Sequence, residues 1–444
     1  MDRLTLHFFR KGGDQESKKV HHINIVYASA RYEMYSNAIW IMLEKSVNII
    51  GLIYINSVMA KYIGPDNFGK IAISTSLFIF VQTLSWFGGQ NILFKRMSEN
   101  TKSGIALAMH TQNQRRIFFL LSSSAVLIYL YFFTDPIVFL FGVANCIATY
   151  YIVMDFFSIY NNTQLKSKIN TITNVIGLSV ALLVRFCIAH FELPVYYFTL
   201  PIIIIPLMPY IMRQVYFKYT TPIKESTRGA GMYNRHMLYT GGALILSSIS
   251  ADIYTQISSI FLAKIISYSD LGVYSVALTI GGAWSFIVLA LITSFFSKIY
   301  SEKNPITVRE LLVKINRIVI LCSLVALGGF YLFGGYFIHY LYGDRFMKAV
   351  DIIPIIIVGT MFSSLGTICY RYMIKESGYS YLAKKMCLCC VLTIPLSWMM
   401  IQSFGINGAA YCFLIVEIMS CTLLNYFFKN RTIINMHLNV FKLR

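Results

Sequence analysis

The sequence has 444 residues, of which 57% are hydrophobic and only 13% carry a charged side chain. Soluble domains are about one quarter charged, so this composition excludes an ordinary soluble protein and indicates an integral membrane protein. The formal net charge of +19 is explained by basic loops that face anionic lipid, and no nucleic acid partner is expected.

Apolar stretches long enough to cross a bilayer recur along almost the whole chain. A span needs roughly 20 residues, and the hydropathy pattern predicts twelve helices of this kind. They lie near 37–60, 71–94, 116–133, 136–159, 169–190, 195–216, 237–262, 272–296, 314–339, 351–373, 386–404 and 407–428. The predicted fold class is an all-α polytopic membrane protein with two lobes of six helices.

The distribution of Lys and Arg predicts the orientation in the membrane. Most of the 38 basic residues fall in loops on one side, together with both termini. Because cytoplasmic loops carry the excess of basic residues, we predict that both termini are cytoplasmic. The predicted segments are an N-terminal tail, an N-lobe, a cytoplasmic linker, a C-lobe and a C-terminal tail, at 1–33, 34–216, 217–236, 237–428 and 429–444.

A turn is predicted between the first two helices, and it contains Gly64, Pro65, Phe68 and Gly69. The six residues 67–72 (NFGKIA) are similar to 270–275 (DLGVYS), which follow the first helix of the C-lobe at an offset of 203 residues. The two lobes would then be parallel repeats related by an axis along the membrane normal, as in some secondary transporters.

Ionisable residues well inside predicted spans are the main functional candidates, since each costs roughly 2.5–3.5 kcal/mol at the centre of an isolated helix. Six residues lie well inside, away from the span ends: Glu44, Lys45, Asp155, Arg185, Asp252 and Glu417. Asp155 lies about five residues from the cytoplasmic end of its helix and Arg185 about five residues from the outer end of its helix. Each can therefore reach an interface, Arg185 by extending its long side chain.

The other four charges are too deep to reach water easily. Glu44 and Lys45 lie roughly 12 Å into the first helix, and Asp252 and Glu417 lie near the midplane. Neighbouring residues point about 100° apart, so Glu44 and Lys45 do not neutralise each other side by side. The repeat offset places Asp252 one turn beyond the counterpart of Lys45, on the same face. Two interpretations stay open: a wet central cavity, or a buried pair such as Lys45 with Asp252.

The nine cysteines all fall in predicted spans, and the tightest group is 387–390 (CLCC). We interpret this group as apolar packing, because zinc sites usually place CxxC pairs in loops with histidine nearby. The sequence contains no HExxH, GxSxG, P-loop or DxD motif, so neither an enzyme nor a metal or organic cofactor is expected.

Five short motifs follow one another from the first predicted helix to the last. They are 40–45 (WIMLEK), 62–69 (YIGPDNFG), 271–277 (LGVYSVA), 341–349 (LYGDRFMKA) and 404–410 (FGINGAA). Together they resemble the polysaccharide transporter family of Wzx-type O-antigen flippases. This family belongs to the MOP superfamily, which also holds the MATE multidrug exporters and the lipid II flippases.

The resemblance implies two lobes around a cavity that opens to one side of the bacterial inner membrane at a time. It implies that the substrate is an undecaprenyl-pyrophosphate-linked oligosaccharide, moved from the inner to the outer leaflet among membrane lipids and other polysaccharide-assembly proteins. A cationic cavity would offset the phosphate charge, with Lys45 as the first candidate contact and Arg185 as the second. The candidates for H⁺ or Na⁺ coupling, or for charge pairs, are Glu44, Asp252, Glu417 and Asp155.

Alternatives remain open. Family members often carry Asp-Gln after an Ile-Tyr-x-x-Ile stretch, whereas Ser258 and Ser259 follow that stretch here, so the acid of that pair is missing. A MATE-like drug or metabolite exporter would favour a narrower, more acidic and more aromatic pocket. A lipid II flippase is less favoured because the first helix is not rich in Arg. A polymerase or ligase enzyme would need a large outer loop, and the predicted outer loops are short.

Overall fold

The computed structural model describes residues 40, 53–54, 57–221, 230–428 and 432–440, and the regular elements in these ranges are helices. The N-lobe contains α1 (Ser57–Trp86), α2 (Gly89–Glu99), α3 (Thr101–His110), α4 (Gln112–Phe133), α5 (Pro136–Met154), α6 (Phe156–Thr163), α7 (Ser167–His190) and α8 (Thr199–Thr220). The C-lobe contains α9 (Ala230–Ile265), α10 (Tyr268–Ala283), α11 (Ser285–Ser301), α12 (Pro305–Tyr342), α13 (Ala349–Lys375), α14 (Tyr379–Cys421), α15 (Leu423–Tyr426) and α16 (Thr432–Val440).

The described ranges contain nine helical stretches long and apolar enough to cross a membrane, and the bent pair α10 and α11 makes a tenth. The predicted span at 37–60 falls mostly outside the described residues. Two other predicted spans, 386–404 and 407–428, merge in α14, which is interrupted at Gly405 where φ is 58°. The prediction of twelve spans is therefore consistent with the structure, and the all-α class is confirmed.

The predicted turn lies within the range of α1. Gly64 interrupts the regular helix there with a φ of 75°, a conformation that favours glycine because other residues clash there. Pro65 follows and fits the start of the next helical segment. Phe68 then packs edge-on against Phe346 of the C-lobe, with ring centroids 6.2 Å apart.

The two repeat segments touch each other through their glycines. A Cβ atom on Gly69 would lie 1.7 Å from the Tyr268 carbonyl oxygen, and a Cβ atom on Gly272 would lie 2.0 Å from the Pro65 carbonyl oxygen. These two contacts exchange under the offset of 203 residues, so α1 and α10 pack about a local two-fold axis. Only glycine permits this approach of two backbones.

The other end of α1 also contacts the C-lobe. A Cβ atom on Gly241 of α9 would lie 2.3 Å from the Phe87 carbonyl oxygen, and Gly88 is packed against Leu244. His110 and Tyr233 stack nearby with ring centroids 5.3 Å apart. The lobes therefore meet at both ends of α1 and enclose a space between them.

Candidate functional site: the cavity between the lobes

The space between the lobes is a cavity of about 820 Å³, bordered by α1, α2 and α5 to α8 of the N-lobe and by α9 and α10 of the C-lobe. Within the described ranges, every ionisable side chain in its lining comes from the N-lobe: Asp155, Arg185 and Arg213. The C-lobe residues in the lining are uncharged: Gln256, Ser259, Ser275, Leu278 and Thr279. Two arginines against one aspartate make the lining cationic.

Asp155 lies at a break inside a span. The stretch Pro136–Thr163 crosses as one unit, but α5 ends at Met154 and α6 begins at Phe156, with Asp155 between them. Its Oδ1 accepts a hydrogen bond from the Ser158 backbone N–H at 3.2 Å. A short polar side chain at this position caps the second helix, as Asp commonly does. A broken helix at a cavity wall is a frequent feature of transporter binding sites.

Arg213 holds Asp155 in place. Its Nη1 forms a salt bridge with Asp155 Oδ2, and its Nη2 donates to Asn174 Oδ1. Its Nε donates to Thr173 Oγ1 at 3.0 Å. Each donor group of this guanidinium thus has a partner, so the charge is neutralised by the carboxylate and anchored to α7. The expectation that Asp155 reaches an interface is wrong, because it pairs with Arg213 and its side chain is only 12% exposed.

Arg185 differs from Arg213 in its hydrogen bonding. It is 6% exposed and borders the cavity, and its Nε has no hydrogen-bond partner among the residues that the structure describes. The expectation that Arg185 extends to the membrane surface is therefore wrong: the face of α7 that carries it borders the cavity. A buried guanidinium with an unsatisfied donor can bind an anion, since Arg presents a fork of N–H groups that fits phosphate.

The structure does not bring Asp252 and Glu417 to the cavity lining. Asp252 on α9 faces Thr83 of α1, and its Oδ2 is buried with no hydrogen-bond partner in the described ranges. Glu417 is 5% exposed inside the C-lobe and lies near Ser363 and Lys385. Glu417 and Lys385 are therefore two buried side chains of opposite charge inside the C-lobe.

Glu44 and Lys45 lie outside the described residues. The nearest described residue is Trp40, whose backbone carbonyl accepts a hydrogen bond from Thr171 Oγ1 at 2.9 Å and whose ring lies 5.4 Å from Lys168 Nζ. Trp40 thus contacts α7, the helix that also carries Arg185. The roles predicted for Glu44 and Lys45 stay predictions.

The sequence analysis did not single out Arg213, which lies close to the end of the predicted span 195–216, or Arg115, which directly precedes the predicted span 116–133. Arg213 lies within the span Val195–Thr220, and Pro206, Pro209 and Arg213 all border the cavity. Their spacing of three and four residues puts them on one helical face, which was the available signal. Arg115 is 1% exposed and lies behind the wall, with its guanidinium 5.0 Å from the Trp86 ring centroid. No local pattern in the sequence marks that packing.

Comparison with known families identifies the chain. A sequence model described as "Polysaccharide biosynthesis protein" matches residues 58–351, which is well over half of the chain. The chain belongs to this family. Among curated proteins, no sequence matches the chain significantly.

Solved structures of the MOP superfamily share the fold of this family member. An inward-facing multidrug MATE transporter has a TM-score of 0.67 at 11% identity, covering 90% of this chain and 97% of its own. Lipid II flippase MurJ in an inward closed conformation has a TM-score of 0.69 at 14% identity, covering 90% of both chains. A transporter from Pyrococcus furiosus, described by the reverse polarity of its binding pocket, has a TM-score of 0.61 at 11% identity, covering 92% and 95%.

These matches confirm the sequence-based assignment to the MOP fold and to a polysaccharide biosynthesis family. The chain is a multi-pass membrane protein.

Proposed function

We propose that this protein moves undecaprenyl-pyrophosphate-linked O-antigen or related polysaccharide repeat units from the inner to the outer leaflet of a bacterial cytoplasmic membrane by alternating access. The family match to polysaccharide biosynthesis supports the substrate class. The observation that carries the proposal is the cationic lining of the cavity, where Arg185 and Arg213 outnumber Asp155.

The physical need for such a lining is clear. A pyrophosphate cannot enter hydrocarbon alone, because burial of an unpaired charge is very unfavourable. A cavity with cationic donors replaces the lost hydration, while the lipid tail of the carrier stays in the bilayer. In this proposal Arg185 binds the phosphate directly, since Arg213 already has a carboxylate and two further partners. We propose that Lys45, on the first predicted helix, is a second cation that binds the phosphate.

The two arginines mark two positions along the cavity. Arg213 is bound to α7 at Asn174, and Arg185 lies eleven residues further along the same helix, a rise of roughly 16 Å. In the predicted orientation Arg213 is nearer the cytoplasmic end. An anionic head group would thus meet the compensated Arg213–Asp155 pair near the cytoplasmic end of its path and Arg185 further along it.

A MATE-like exporter of cationic drugs is the second candidate, and the lining disfavours it. Such a pocket is expected to be acidic and aromatic. Among the lining side chains that the structure describes, only Phe68 and Trp86 are aromatic and only Asp155 is acidic. Like charges across a binding site oppose binding strongly. If transport is coupled to H⁺ or Na⁺, the proposal assigns the binding of that ion to Glu44 and Asp252, the acids on the first helix of each lobe.

The experiment that tests the function is deletion of the gene followed by a leaflet-resolved assay of the lipid-linked repeat unit. Accumulation on the inner leaflet, reversed by the intact gene, supports the proposal. An unchanged distribution between leaflets, together with altered resistance to cationic drugs, would favour the exporter.

A further inference from the structure

Three potential metal ligands meet in the C-lobe, and none of them lines the cavity. The Sγ atoms of Cys369 and Cys421 and a ring nitrogen of His437 lie within 4.8 Å of one another. Cys369 belongs to α13, Cys421 ends α14 and His437 belongs to α16. We propose that these three side chains bind one thiophilic metal ion, Zn²⁺ or Cu⁺, which fixes α16 to the C-lobe.

The ligand spacing fits one metal ion. Cys369 Sγ lies 3.5 Å from His437 Nε2. Zinc binds sulfur at about 2.3 Å and imidazole nitrogen at about 2.0 Å, so two tetrahedral ligands of this kind lie about 3.5 Å apart. Thiolate and imidazole donors select Zn²⁺ or Cu⁺ over hard ions such as Mg²⁺ or Ca²⁺.

The histidine has a second partner of the kind that metal-bound imidazoles use. Its Nδ1 lies 3.2 Å from the Tyr426 hydroxyl. With the proton on Nδ1 donated to the Tyr426 oxygen, the Nε2 lone pair is directed at the thiols. Such outer hydrogen bonds fix the tautomer and the ring orientation of metal ligands.

The surrounding structure holds the ligands in place before any metal binds. Cys369 is fully buried and Cys421 is 1% exposed, and both pack in one apolar cluster with Ile433 and Met436 of α16. At the far end of α16, Arg317 Nε donates to the Val440 carbonyl oxygen at 2.9 Å. A preformed pocket lowers the ordering entropy that metal binding must overcome.

Two charged side chains lie close to the site. Lys385 on α14 is buried and interacts electrostatically with both cysteines, whereas Glu417 interacts with Cys421. A Zn²⁺ ion would neutralise both thiolates, and Cu⁺ would leave one negative charge facing Lys385.

The test uses the full-length protein purified in detergent under reducing conditions, loaded separately with Zn²⁺ and with Cu⁺, and freed of excess metal. We expect elemental analysis to give about one ion per chain for one of the two metals, which identifies the ion. The variants Cys369→Ser, Cys421→Ser and His437→Gln should retain less than about a tenth of that metal. The matched control is Cys412→Ser, another buried cysteine of α14, which should retain all of it.

A second measurement on the unaltered protein guards against variants that fail to fold. Loading with Co²⁺ should produce thiolate-to-cobalt charge-transfer absorption, and this absorption should disappear when Zn²⁺ is added if zinc is the ion. Failure of the unaltered protein to bind either metal would overturn the proposal, as would full metal content in His437→Gln. A disulfide between Cys369 and Cys421 in the reduced preparation would also overturn it. None of these outcomes bears on the proposed transport function, because the site is separate from the cavity.

Discussion

The arginines Arg185 and Arg213 border the same cavity but differ in what they can bind. Arg213 is held by Asp155, Asn174 and Thr173, so its charge is already compensated. Arg185 has an unsatisfied Nε among the described residues. Breaking a compensated pair should therefore affect stability, whereas neutralising Arg185 should affect transport.

Arg185→Gln is expected to reduce transport of the lipid-linked oligosaccharide at least tenfold while the protein level stays normal, because a charge-assisted bond to phosphate is worth roughly 1.5–3 kcal/mol. Arg185→Lys keeps the charge but loses the fork of donors, and should have intermediate activity. The control is Arg116→Gln on an exposed face of α4. Equal transport by Arg185→Gln and the unaltered protein would contradict the role of Arg185.

Asp155→Asn and Arg213→Gln are each expected to destabilise the protein by about 3 kcal/mol, because a buried charge loses its partner. The double variant should lose less than the sum of the two, since it leaves no unpaired charge. Thermal unfolding in detergent measures all three. Lys95→Gln removes an exposed pair with Glu99 at 4.0 Å and should not shift unfolding measurably. Additive losses in the double variant would mean that the Asp155–Arg213 pair is not coupled.

Part of this site could be predicted from the sequence. Asp155 and Arg185 stand out as charges in apolar helices, and both do border the cavity. Their partners could not be predicted, because Arg213 lies near the end of an apolar run where a cation normally reaches water. Arg213 points into the protein because α7 lies beside α8 and offers Thr173 and Asn174 as hydrogen-bond partners. The cluster of Cys369, Cys421 and His437 was missed because its members are far apart in sequence and no spacing rule connects them.

Among the helices, α1 and α10 contain the two segments of the weak sequence repeat, and these segments contact each other. Six similar positions at 67–72 and 270–275 predicted related lobes, and the reciprocal contact of Gly69 and Gly272 gives that relation a physical basis. The interruption of α14 at Gly405 was less visible, since a positive φ inside a helix depends on packing that the sequence does not reveal. In both cases glycine supplies a backbone approach or conformation that other residues cannot.

Gly69→Ala is expected to separate α1 from α10, because the new methyl group would lie 1.7 Å from the Tyr268 carbonyl oxygen. Hydrogen exchange at 268–272 should then accelerate at least about tenfold, as local opening becomes easier, and transport should fall. Gly329→Ala on α12 is the matched control, since its Cβ has open space. Unchanged exchange in Gly69→Ala would show that the contact does not hold the lobes together at this end.

The whole molecule is asymmetric in charge although its lobes are related by a repeat. The charged lining of the cavity comes from the N-lobe, and the described C-lobe residues in the lining are neutral. An anionic head group would therefore stay bound to the N-lobe while the C-lobe moves relative to it.

Lys45→Ala is expected to abolish export of the polysaccharide without loss of protein. Normal export by this variant would exclude Lys45 from substrate binding.

Reconstitution in liposomes tests transport without other cellular components. Liposomes containing undecaprenyl-pyrophosphate-linked oligosaccharide on one leaflet would receive either the unaltered protein or Arg185→Gln, and the lipid exposed on the opposite leaflet would be measured over time. We expect rapid exposure with the unaltered protein and at least tenfold slower exposure with Arg185→Gln. Equal exposure in liposomes with and without the unaltered protein would contradict the proposal that the cavity carries a pyrophosphate-linked sugar.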